Sequence, residues 1–148
     1  MKLNLRAAVP AAGLALAFST LALAQSAPFV GGDYVTVASV VVEPGHGRHY
    51  ADYLASEWRS EREFAKSQGW ITSYEVLTNP HKRAGEPDVY LVNRFKTFAD
   101  PAESDRRGKL TMEHLKKTEA QLQAGSAERD KYRKTINTQL LRSQTFRN

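Results

Sequence analysis

Leu140 to Phe146 (LLRSQTF) decides the fold of this chain, because it reads either as the tail of a helix or as a last strand. Residues 139–147 contain no helix stop signal, so local rules leave both readings open. Read as a strand, the segment completes a four-stranded antiparallel sheet; the elements before it show what such a sheet would contain.

Upstream, Tyr34 to Glu43 (YVTVASVVVE) is rich in β-branched residues and is the clearest strand. Val35, Val37 and Val41 fall on one of its faces and Ala38, Val40 and Val42 on the other, so both faces call for cover. Pro44-Gly45 then turns the chain into a helix that runs to about Gln68 and stops at Gly69. Its inward residues at helical spacing are Tyr50, Tyr53, Leu54, Trp58, Phe64 and Ala65. Trp70 to Thr78 (WITSYEVLT) and Asp88 to Phe95 (DVYLVNRF) read as a strand pair joined by a polar loop with Gly85 and Pro87. Asp100 is the expected N-cap of the next helix, with Pro101 in its first turn and Glu103 reaching back. Breaks are expected at Gly108 and at Gly125-Ser126, with a third helical stretch from Ala127 that carries Tyr132 and Ile136.

With the last segment as a strand, the order is βαββαβ: an α+β, ferredoxin-like topology with a four-stranded antiparallel sheet and helices on one face. The uncovered face of that sheet would be apolar, and its simplest cover is a second copy. Val42-Glu43-Pro44-Gly45 leading into a helix with a tyrosine and a tryptophan, and a strand pair ending in Val92-Asn93-Arg94-Phe95, resemble the dimeric α/β-barrel superfamily. That superfamily includes antibiotic-biosynthesis-monooxygenase-like and stress-responsive barrel proteins, and the nearest likeness is to small exported bacterial members without an assigned activity. The resemblance spans most of residues 34–146. It implies a homodimer whose two sheets form a barrel, with a cavity between sheet and helices and Leu140 to Phe146 as the last strand. Function does not travel with the fold.

The N-terminus reads as an export signal. Lys2 and Arg6 precede a run, Ala7 to Ala24, that has no charge and ends in Ala22-Leu23-Ala24, the small-x-small pattern before a cut at Gln25. Its uniformly apolar part is shorter than the roughly 20 residues of a membrane span, and no cysteine follows it to take a lipid. Residues 1–24 are therefore expected to be a signal peptide, 25–33 a flexible leader and 34–148 the domain, periplasmic or secreted, with no membrane association after cleavage. Cleavage takes the basic count from 21 to 19 against 16 acidic residues, a net charge of about +3. The basic and acidic residues are interleaved, which argues against a nucleic-acid partner. With no cysteine, neither disulfides nor thiolate chemistry are available.

Glu57 and Glu61 fall inside the apolar arc of the first helix, one turn apart, where two carboxylates repel each other and resist burial. Pairing with Arg94 or Arg142 of the sheet, contact with a ligand in a polar cavity, and metal ligation beside a histidine would each accommodate them; a shifted helix phase would turn them to solvent instead. His46 and His49, at i, i+3, lack the further ligands a zinc site needs, and no metal or cofactor is expected. His81 and His114 read as solvated. Trp58, Tyr74, Tyr90 and Asn93 complete the candidate cavity as packing aromatics and oriented hydrogen-bonding groups. Three functions follow: binding of a small molecule in the cavity, cofactor-independent oxygenation or isomerisation of a small aromatic or quinone-like molecule, and a structural dimer.

Overall fold

The computed structural model describes residues 27–148, so the signal-peptide reading and the first leader residues lie outside the described residues. Strand β1 (Phe29–Val42) leads into one helical rod made of α1 (Gly47–Tyr53), a π-helical turn (Leu54–Trp58) and α2 (Arg59–Ser67). Strands β2 (Ser73–Thr78) and β3 (Val89–Phe95), helices α3 (Pro101–Leu115) and α4 (Glu119–Asp130), and strand β4 (Arg133–Phe146) follow. The four strands form one antiparallel sheet in the order β2-β3-β1-β4. Residues 140–146 are thus strand, and the strand begins earlier, at Arg133.

Two expectations fail where glycine was read as flexibility. Residues 29–33 are not leader but the start of β1, paired through Phe29 with Phe146, whose rings lie 5.2 Å apart. The register slips between Gly31 and Tyr34, and there a Cβ on Gly32 would meet Ser143 Oγ at 2.6 Å. The two glycines therefore serve a bulge and a close approach. Likewise α3 runs through Gly108 and α4 through Gly125 and Ser126. A single glycine costs an exposed helix only about 1 kcal/mol. The chain breaks instead at Lys116, which takes a left-handed φ of 53°. A capping box of Thr118 and Gln121 then starts α4. Tyr132 lies in the turn after α4 and Ile136 in β4, so the expected third helical stretch does not form.

Asp100 does cap α3, accepting from the Glu103 amide at 2.8 Å. Glu103 does not reach back; hydrogen bonds from Arg106 and Arg107 hold its carboxyl far down, at about 2.

The pairing register sorts the sheet into two faces. Thr36, Ala38, Val40 and Val42 share a face with Val89, Leu91, Asn93 and Phe95 of β3 and with Tyr74, Val76 and Thr78 of β2. The helical rod covers part of this face: Val40 and Val89 pack with Tyr50, Leu54, Trp58 and Tyr132 into the core cluster. Helix α3 packs against α2. The opposite face carries Val35, Val37, Tyr90, Val92 and Arg94, with Leu77 exposed on β2 and Leu141 exposed on β4.

Candidate functional site

The rod meets the sheet along Tyr50, Leu54 and Trp58, spaced four apart and all buried. One flank of the rod carries Gly47, Ala51 and Ala55 at the same spacing, and Arg59 continues it. These small side chains leave the space between the rod and the β2 side of the sheet unfilled, a cleft of about 790 Å³. Its walls are apolar along most of their length: Val42, Leu54, Trp58, Val76 and Val89, with Ala51 and Ala55 on the rod side. The Trp58 ring meets Tyr74 edge to face at 5.4 Å, and Val76 is 40% exposed within the opening.

Polar groups sit at the two ends. At one, Glu43, Thr78 and Asp88 line the opening. Asp88 is committed: it accepts from the Val42 amide at 2.9 Å and pairs with Lys82 at 2.7 Å. Burial pushes its carboxyl up, but those two contacts outweigh burial and hold it below its ordinary value. At the other end, the Tyr74 hydroxyl donates to Glu63, and Arg59 lines the cleft beside it. The Glu63 bond raises the Tyr74 pKa, with Arg59 acting in the opposite direction, so Tyr74 stays protonated at neutral pH. Tyr50, on the core side, is pushed up to about 12 by burial.

The residues singled out in the sequence divide among several places. Trp58 and Tyr74 line the cleft. Glu61 and Asn93 line a smaller pocket of about 330 Å³ toward α3, with Arg62, Trp70, Phe95 and Phe98. Tyr90 and Arg94 point to the opposite sheet face and border neither pocket, a correction that follows from the period-two alternation of β3. Arg142 lies at the far end of the sheet, its guanidinium 5.0 Å over the Tyr34 ring.

The carboxylate pair is also resolved differently. Glu57 is paired neither with Arg94 nor with Arg142 but with Lys117 and, at 3.7 Å, with Arg129. Arg94 instead meets Glu75 across the β2–β3 ladder at 3.5 Å. Glu61 pairs with its neighbour Arg62. Both glutamates are partly exposed, at 25% and 30%, because they lie on the flank of the rod rather than at its centre. Among the described residues, no group of three or more His, Cys, Asp or Glu is placed to hold a metal ion. His46 and His49 are exposed at the rod's start and stack on Tyr132 at 5.6 and 4.4 Å. His81 is exposed. His114 is exposed too, but is engaged by Ser60 at 3.1 Å and stacked on Phe64.

The sequence reading passed over Ala51, Ala55, Arg59 and Glu63. Their signal was present as a four-residue repeat of small residues ending in an opposite-charge pair, on the flank next to the apolar arc.

No known family profile matches this sequence, and no curated protein matches it. Among solved structures, a de novo designed protein, Foldit4, aligns with 78% of this chain and 98% of its own at 18% identity and a TM-score of 0.28. A likeness that slight bears on neither fold nor function. No described helix is long and apolar enough to cross a membrane.

Proposed function

We propose that this chain is an exported ferredoxin-like subunit that dimerises through the uncovered face of its sheet and binds a small apolar molecule in the cleft beside the rod. The observation that carries the binding reading is the cleft itself. Its volume, about 790 Å³, falls among the roughly 300–1,000 Å³ of small-molecule sites, and it combines apolar walls with a few polar groups at the ends. Val76 stays 40% exposed in the opening, apolar surface whose burial would stabilise the fold by roughly 25 cal/mol per Å². Here alanine and glycine stand where larger side chains would close it. The sheet order β4-β1-β3-β2 supports the ferredoxin-like assignment, and the Ala22-Leu23-Ala24 pattern supports export.

The test uses the neutral fluorophore N-phenyl-1-naphthylamine. Its emission is expected to rise on titration with the purified protein and to saturate. Ala55→Trp, at an exposed rod position, is expected to leave the far-ultraviolet circular dichroism unchanged and to weaken that binding at least tenfold by filling the cleft. Unchanged binding to a folded Ala55→Trp protein would remove the cleft as the site.

A second reading, a cofactor-independent monooxygenase or isomerase acting on a small aromatic or quinone-like molecule, has one observation in its favour. Tyr74, Glu63 and Arg59 gather a hydroxyl, a carboxylate and a guanidinium at one end of an apolar cleft, where a proton could be moved to or from a bound carbonyl compound.

A further inference from the structure

From the distribution of charge along this cleft, we infer that its ligand is an apolar monocarboxylic acid, bound with its carboxylate at Arg59 and its hydrocarbon body along Trp58, Leu54 and Val76. The inference rests on the cleft reading above and adds the head group and its orientation.

Three charged side chains line the cleft: Glu43, Arg59 and Asp88. Asp88 is neutralised by Lys82 and spent on the Val42 amide. Arg59 makes no salt bridge among the described residues and hydrogen-bonds the Tyr74 hydroxyl at the cleft wall, so its charge is not neutralised there as that of Asp88 is. Among the described residues it is the one cation lining the cleft. A guanidinium fork matches a carboxylate with two parallel hydrogen bonds, and the Tyr74 hydroxyl beside it supplies a further donor. The opposite orientation is disfavoured. Twelve residues separate Gly47 from Arg59, about 18 Å of helix, so a carboxylate placed at the far end would face Glu43 and Asp88. Between the ends, the walls offer almost nothing to hydrogen-bond, which suits a hydrocarbon or aromatic body.

Glu63 gives the inference a sharp signature. It now holds the Tyr74 hydroxyl that a ligand carboxylate would use, and it repels that carboxylate. Arg59 and Glu63 should therefore act with opposite sign on the preference for an acid over a neutral analogue of the same body.

Decanoate and decan-1-ol, each displacing N-phenyl-1-naphthylamine at pH 7.5, test this directly. Decanoate is expected to bind at least tenfold more tightly than decan-1-ol. Arg59→Gln should abolish that preference, and Glu63→Gln should widen it severalfold. The result is read as the ratio of acid to alcohol affinity within each variant, so a uniform effect of the substitution on the cleft cancels. Equal displacement by the acid and the alcohol would overturn the acid assignment while leaving the cleft reading intact, as would a preference that survives Arg59→Gln. Failure of the fluorophore to bind at all would overturn both.

Discussion

Val40→Asp is expected to abolish the folded state. Val40 is the most deeply buried side chain of the core, 1% exposed, between Val89 of β3 and Thr135 of β4 and beneath the rod's buried stripe. An aspartate there would be ionised only at the cost of an unpaired buried charge, several kcal/mol even after relaxation. Protonated, it would still lack hydrogen-bond partners. Domains of this size have about 5–15 kcal/mol in total, and the core of this one is small. Circular dichroism should show loss of the cooperative thermal transition. The near-isosteric Val40→Thr, which exchanges one methyl for a hydroxyl, should stay folded with a lowered melting temperature. An aspartate variant that melts like the native protein would contradict the placement of the core.

The second large effect concerns assembly. The sheet face away from the rod carries Val37 and Tyr90 around the already buried Val35 and Val92, and two large apolar side chains remain exposed on it, Leu77 at 48% and Leu141 at 49%. They lie on the two edge strands, β2 and β4, so a second copy placed over the face by a two-fold axis would bury both in each subunit. Leu77→Asp and Leu141→Asp each put two carboxylates into such an interface while touching no residue of the core cluster. Light scattering behind size exclusion should give twice the chain mass for the native protein at micromolar concentration. Both variants should run at the chain mass with unchanged circular dichroism. A native monomer under those conditions would remove the barrel reading. A dimer whose cleft stays empty of every probe would favour the purely structural alternative.

The sequence carried the sheet's composition better than its limits. Valine-rich β1, the strand pair and the long first helix are all written in short-range periodicity, and each formed. The ends were obscured because their signals are tertiary. Gly31 and Gly32 look like a flexible leader until β4 is alongside, where Ser143 comes too near for a Cβ on Gly32. Gly108 and Gly125 look like helix stops, yet the helices continue through them, and the stop falls on Lys116, a residue with no special left-handed preference. The site shows the same division. Trp58 and Tyr74 were legible as aromatics facing inward. The assignment of Tyr90 and Arg94 failed because strand alternation sends them to the other face. Glu57 attracted attention as a buried polar residue, but its partners, Lys117 and Arg129, come from a turn and a helix more than fifty residues away. Arg59 was passed over because a charged residue beside an apolar arc looks like ordinary surface. Only the cleft beside it makes its position at the end of an apolar wall informative.

The most direct measurement of the central claim is a set of intermolecular nuclear Overhauser contacts from bound N-phenyl-1-naphthylamine in the assigned, isotope-labelled protein. The cleft account predicts contacts to the Trp58 indole, the Ala55 methyl and the Val42 and Val76 methyls, all of which line the cleft. Contacts to Trp70, Phe95 and Phe98 instead would place the ligand in the smaller pocket and contradict the account.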